Sequence, residues 1–178
     1  KIVHNTYEAE IDQFTQELRL GGVSGGLNWL AGAYYYDQKT DGAFQIDASG
    51  IDYIIGDANY DQVTKSWSLF GQLEYALSDY WSVLAGLRYT DEERELDYLS
   101  VDLNGLLPPE ANTMFAYDED ISNDNVTGKL ELDWRPTDGV LIYGSVALGV
   151  KSAGFNTGVL DETGLFGMTV RDDVPYDE

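Results

Sequence analysis

The sequence predicts an all-β fold of about six antiparallel strands arranged in three hairpins. Three observations carry this expectation. Apolar residues recur at every second position over several stretches, short turn-like breaks alternate with long polar connections, and nearly all of the negative charge lies in those long connections. The composition agrees, with 13 Tyr and 19 Gly but only 2 Met among 178 residues, a profile rich in strand and turn formers.

The elements follow in order. Phe14, Gln16, Leu18 and Leu20 alternate with Thr15, Glu17 and Arg19; after a glycine-rich turn near 21–26, Leu27, Trp29, Ala31, Ala33 and Tyr35 alternate with Asn28, Gly32, Tyr34 and Tyr36. In the second hairpin Trp67, Leu69, Gly71, Leu73, Tyr75 and Leu77 oppose Ser66, Ser68, Phe70, Gln72 and Glu74. A polar turn at 78–80 then leads to Trp81, Val83, Ala85, Leu87 and Tyr89 against Ser82, Gly86, Arg88 and Thr90. The third sets Val126, Leu130, Leu132 and Trp134 against Thr127, Lys129, Glu131 and Asp133. It turns at Pro136-Thr137-Asp138-Gly139 and continues with Val140, Ile142, Val146, Leu148 and Val150 against Tyr143, Ser145, Gly149 and Lys151.

Long connections are expected at about 38–63 and 91–124, with a long tail after 152. Short turns at one end and long loops at the other are the layout of an outer-membrane β-barrel, whose strands need only about 9–11 residues to cross. Trp29, Trp67, Trp81 and Trp134 all fall on the apolar face, Trp81 and Trp134 beside tight turns, where an interfacial aromatic girdle would lie against membrane lipid. The opposite face carries Glu17, Arg19, Glu74, Arg88, Lys129, Glu131, Asp133, Arg135 and Lys151, too polar for a sandwich core and suited to a hydrated or plug-filled lumen.

The net charge of −22 sharpens this picture. Residues 37–63, 91–124 and 153–178 carry −5, −10 and −5, while 64–90 and 125–152 each sum to zero and 1–36 to −2. Such a balance excludes a nucleic-acid binder, which needs clustered Lys and Arg. The absence of cysteine excludes thiol chemistry and Cys-ligated zinc, and no apolar run is long enough for a membrane helix. With His4 the single histidine, the serines have no base and a hydrolase triad has no material, so no catalytic residues and no enzyme activity are expected. The chain begins at Lys1 without an initiating Met or apolar leader, so it is expected to be processed or an excerpt.

Two groups of candidate site residues emerge. Tyr34 and Tyr36, with Phe44, Tyr53 and Tyr60 in the first long connection, Phe115 and Tyr117 in the second and Phe155 near the third, are candidate ligand contacts, because aromatic rings suit catecholates, sugar faces and tetrapyrroles alike. Their competing role is to pack the loops against one another. Asp118, Glu119, Asp120 and Asp124 form a carboxylate cluster that could hold Ca²⁺ through oxygen ligands, although the spacing matches no EF-hand. The strongly negative connections are expected to disfavour an anionic chelate and to favour a neutral or cationic ligand, or a bound cation.

Several segments together resemble the barrel of TonB-dependent outer-membrane receptors. The run 13–20 resembles a recurring strand close to FSQELRL, and 29–35 its partner. Residues 68–72 with 84–90, then 126–130 with 134–138, are similar to the hairpins that follow, and 141–145 to 149–156 resembles a strand ending in GFKSGGFN. The pieces stand in the family's order over most of residues 13–156. The resemblance implies that residues 1–178 are part of a 22-stranded barrel domain in the bacterial outer membrane. Its partners would be membrane lipid, the remainder of the barrel with its plug, and an inner-membrane TonB complex reached through regions outside this chain. It also implies uptake of a scarce nutrient, most often a ferric siderophore. Two other readings compete. One is a self-contained eight-stranded anchor or adhesin in which Ile2–Glu10 and Phe166–Arg171 supply the extra strands. The other is a soluble carbohydrate-binding β-sandwich, against which the charged face counts.

Overall fold

A computed structural model describes residues 4–47, 55–102, 113–155 and 175–176. Six strands, β1 (His4–Ser24), β2 (Leu27–Asp47), β3 (Ile55–Ala76), β4 (Trp81–Asp102), β5 (Thr113–Thr137) and β6 (Val140–Leu148), form one sheet in chain order, each antiparallel to the next. Two short strands, β7 (Gly154–Phe155) and β8 (Pro175–Tyr176), pair separately. Within the described residues the sheet is open, with β1 and β6 at its edges.

Strands β1–β5 are far longer than a membrane crossing requires. They run 21 to 25 residues, roughly 70–80 Å at ~3.3 Å per residue. The connections expected at 38–63 and 91–124 are therefore mostly strand. Residues 38–47 pair with 55–64, and 91–100 pair with 115–124, in the same register as the apolar parts below them, before a register shift brings Val101 opposite Thr113. A ladder satisfies backbone N–H and C=O groups whatever the side chains, so it continues after the apolar alternation has ended. Residues 4–10 are likewise the far end of β1 rather than a strand of their own. Residues 166–171 lie outside the described ones. Strand β6 ends at Leu148, short of the expected Lys151.

The tight turns follow from local chemistry. Gly25 and Gly26 take φ of 57° and 83°, which β-carbon-bearing residues rarely adopt, and they join β1 to β2 in two residues. Between β3 and β4, Ser78 Oγ accepts from the backbone N–H groups of Tyr80 and Trp81 at 3.3 and 3.2 Å, closing the turn. Pro136 lies where the β5–β6 register jumps from Trp134 to Thr137, the place in a ladder where a missing N–H costs least.

Because the register holds between the shifts at Ser100/Val101 and Trp134/Thr137, side chains divide between two faces. The outer face has an apolar band drawn from Phe14–Leu20, Leu27–Tyr35, Trp67–Tyr75, Trp81–Tyr89, Val126–Trp134 and Val140–Leu148, and Leu18, Leu20, Leu87 and Val146 in it are 68–70% exposed. Above the band the same face turns acidic, with Asp91 opposite Asp124, Glu95 opposite Asp120 and Asp97 opposite Asp118. The band also steps toward the tight turns within each hairpin. Phe14 lies opposite Asp37 rather than Tyr35, Trp67 opposite Asp91 rather than Tyr89, and Trp134 opposite Ile142 with Val140 still beyond. Two residues of offset, ~6.6 Å, over two strands, ~9.6 Å across, give a tilt of roughly 35°, within the range of membrane barrels.

Two glycines on the inner face make room for rings from the next strand. Phe70 of β3 lies over Gly32 and Tyr60 of β3 over Gly42, and a Cβ at either glycine would overlap the ring. Tyr60 continues across β2 to share a 2.6 Å hydrogen bond between hydroxyls with Tyr7 of β1. One ring thus ties three strands together above the band. At Gly71, by contrast, a Cβ would meet only an ordinary contact at 3.6 Å.

Gly42→Ala should therefore lower barrel stability by about 1–3 kcal/mol through overpacking. Gly71→Ala should be neutral or stabilising by about 0.5–1 kcal/mol, because Ala loses less entropy in a strand. The temperature at which the folded barrel loses its heat-modifiable gel mobility reports both, and equal shifts would contradict the packing. Burial first, and then the Tyr7 hydroxyl, push the Tyr60 phenol up from 10.0 to about 12. Its contribution to stability should be complete below pH 10 and lost as pH rises through about 12. Ultraviolet difference titration should show this late ionisation and its loss in Tyr60→Phe.

Candidate functional site

The inner face forms the candidate site, and its chemistry changes with height. Nearest the tight turns, charges are neutralised along their own strands. Arg135 donates to Ser82 at 2.9 Å and to Asp133 at 3.3 Å, Lys129 pairs with Glu131 at 2.8 Å, and Arg19 pairs with Glu17. The residues lie two apart because a strand returns to the same face every second residue.

At mid-height the face is hydroxyl-rich. Arg88 of β4 donates from Nη2 to Ser68 Oγ at 2.8 Å and from Nε to Thr90 Oγ1 at 3.2 Å, and the two hydroxyls are 3.1 Å apart. Its guanidinium carbon lies 5.4 Å from the Tyr34 ring centroid and 5.8 Å from that of Phe70, within reach of a cation–π attraction. Tyr36 donates to Gln38, whose Nε2 donates to Thr40 at 3.1 Å, and Arg94 pairs with Glu92 at 2.8 Å. Tyr34, Tyr36, Gln38, Thr64, Thr90 and Arg94 help to line an open hollow of about 350 Å³.

Higher still is an apolar cluster of Ala58, Tyr60, Leu96, Tyr98, Phe115 and Tyr117, with Phe155 packed against it. Tyr98 and Phe115 are each 1% exposed. The rings meet at 5.9 Å edge-on (Tyr98–Phe115), 6.0 Å stacked (Phe115–Tyr117) and 6.2 Å edge-on (Tyr117–Phe155).

The predicted ligand contacts separate accordingly. Tyr60, Phe115, Tyr117 and Phe155 come together in the buried cluster, where they pack against one another. Tyr34 and Tyr36 remain at the open hollow. Phe44 is half-buried on the same face, opposite Tyr7 and Ala58, and Tyr53 lies outside the described residues. Tyr98, Leu96 and Phe70 were not among the candidates. The alternation Leu96-x-Tyr98-x-Ser100 that marks the first two lies in the stretch 91–124 expected to be a connection, while Phe70 lies on the predicted polar face of a strand.

The acidic candidates sit on a strand rather than a loop. Asp118, Asp120 and Asp124 point outward and Glu119 inward, opposite Leu96. Among the described residues no group of three or more Asp, Glu or His is placed to hold a metal ion. The outward orientation takes most of the described acids of these strands off the inner face, so they do not carry the expected repulsion of an anionic chelate. On the inner face of the six strands, level with Phe70 and above it, the described charges are Arg19, Arg88 and Arg94 against Glu17, Glu92 and Glu119, which balance. On the outer face the acids repel one another. Asp61 is raised from its ordinary carboxylate value, mainly through its hydrogen bond with Asp41, which is itself held low by that bond and by Lys39.

The four tryptophans lie on the outer face. Trp81 and Trp134 stack at 5.5 Å and 11° across β4 and β5, at the tight-turn end of the band. Trp67 meets Tyr89 at 5.4 Å at the opposite end, and Trp29 covers Gly22.

Comparison with known proteins agrees with this architecture. The family described as "TonB dependent receptor-like, beta-barrel" matches residues 3–168. Among solved structures, the chain is similar to the ferric yersiniabactin uptake receptor FyuA from Yersinia pestis. The TM-score is 0.76 at 19% identity, over 89% of this chain and 24% of that one. It is also similar to the siderophore receptor PiuA from Acinetobacter baumannii, with a TM-score of 0.60 at 20% identity, over 79% and 24% of the two chains. The chain therefore spans about a quarter of the length of these receptors. The family is one of bacterial outer-membrane transporters rather than enzymes, whose full-length members carry a plug domain and engage TonB. The open six-stranded sheet is a stretch of such a wall, and the chain belongs to the TonB-dependent receptor-like β-barrel family.

Proposed function

We propose that this wall belongs to a receptor in the bacterial outer membrane that takes up a scarce nutrient, a ferric siderophore or related iron complex, by TonB-coupled transport. The observation that carries this reading is the contrast between the faces at one height. Apolar residues point outward, while hydroxyls, rings and a balanced set of charges point inward around Tyr34, Tyr36 and Arg88. A wall with lipid on one side and a polar solute on the other requires that division. Similarity in fold to two siderophore receptors supports the choice of nutrient.

Strand β1 and strand β6 leave their outer edges unpaired among the described residues, and an unpaired ladder in lipid costs several kcal/mol per group. Cells lacking the complete receptor should thus regain growth on ferric siderophore under iron limitation when it is restored, and only with TonB present. Expression of the 178-residue stretch alone should restore nothing. Radioactive iron accumulation measures both, and uptake independent of TonB would contradict the proposal.

A further inference from the structure

Four of the described inner-face cations, Arg19, Arg94, Lys129 and Arg135, each have a carboxylate two residues away on their own strand. Arg88 has none; its neighbours at that spacing are Gly86 and Thr90, and its hydrogen-bond partners are the hydroxyls of Ser68 and Thr90. Shortage of acid is not the cause, since the chain has 32 acidic residues against 10 basic ones. Most acids of the upper strands alternate outward; Glu92 and Glu119 face inward, and Glu92 is paired with Arg94.

The surroundings of Arg88 hold it in place without neutralising it. Two of its five N–H donors are engaged, leaving three for another partner. The Tyr34 and Phe70 rings lie beside the guanidinium and limit its contact with water, which strengthens its attraction for a negative group. Phe70 is fixed in turn by Gly32, whose lack of a side chain leaves room for the ring. Arg88 borders two open hollows on the inner face, of about 350 and 410 Å³, the first also bordered by the Arg94–Glu92 pair and the second by Arg19 and Lys129. A planar fork with free donors and fixed orientation matches a two-oxygen anion better than a point charge would.

We propose that Arg88 anchors an oxyanion of the solute that passes along this wall, a carboxylate or a group of the same two-oxygen chemistry. The proposal rests on the uptake reading, whose solute it specifies. A carboxylate of the polypeptide filling the barrel offers the same chemistry, so the test must separate the two sources.

The test uses the complete receptor in detergent at low salt, with citrate as the carboxylate probe and equilibrium dialysis as the measurement. Arg88→Gln should weaken citrate binding at least tenfold, Arg88→Lys should retain part of it, and Lys65→Gln on the outer face should stay within about twofold of the parent. Heat-modifiable gel mobility checks that each variant is folded. If Arg88→Gln does not fold, Arg88→Lys carries the comparison. Citrate binding that is absent in the parent, or indifferent to Arg88, overturns the proposal. So does a folded Arg88→Gln receptor with unchanged citrate binding whose plug becomes protease-sensitive, since that assigns the arginine to a polypeptide carboxylate. Iron uptake is measured in parallel. Uptake by the parent with citrate binding indifferent to Arg88 removes the anchor and leaves the uptake reading. Arg88-dependent citrate binding without uptake by the parent does the reverse.

Discussion

Everything in this wall depends on the antiparallel register, which shifts only near its ends, at Ser100/Val101 and Trp134/Thr137. Side chains along a strand alternate with a period of two, so fixing the pairing of β1 to β6 assigns nearly every residue to one face or the other. A slip of one residue would send Leu69, Leu73 and Tyr75 inward and Ser68, Gln72 and Glu74 outward. The cost would recur on every strand bonded to the slipped one. The tight turns set this register at one end, through Gly25 and Gly26, the Ser78 hydroxyl and the break at Pro136. At the other end Tyr60 pins it, reaching over Gly42 to Tyr7.

The lower half of each hairpin was legible in the sequence because hydrophobic alternation is strong there. Trp81, Val83, Ala85, Leu87 and Tyr89 could lie only on one face of a strand, and the turns beside them have recognisable chemistry. The upper half was not legible, because both of its faces look polar and residues such as Asp, Asn and Gly are depleted in strands. The stretch QKTDGAFQID at 38–47 resembles a loop in every local respect and is paired residue by residue. Its conformation is set by neighbouring strands rather than by its own preferences.

Conformation also decides where the charge acts. Summed over a loop, the acids predicted a negative mouth hostile to anions. Placed on strands, Asp91, Glu93, Glu95 and Asp97 face away from the lumen, and the inner face at the same heights carries Glu92, Arg94, Leu96 and Tyr98. Net charge counts residues, whereas a solute responds to the field on its own side of the wall. The candidate site was thus half visible in advance. The rings at Tyr34 and Tyr36 stand out by residue type, while Arg88 stands out once its hydrogen-bond partners are known to be the hydroxyls of Ser68 and Thr90 rather than a carboxylate.

A wall that steps two residues toward its turns with every hairpin is a piece of screw thread. Carried around a ring of about 22 strands, the step sums to about 22 residues, so the last strand meets the first far along its length rather than level with it in sequence. The quantum of growth in such a ring is the hairpin. Adding or losing a pair of strands lengthens the circumference and the pitch together and keeps inside and outside distinct. A single added strand would run the wrong way at the seam, where an antiparallel ladder could no longer close.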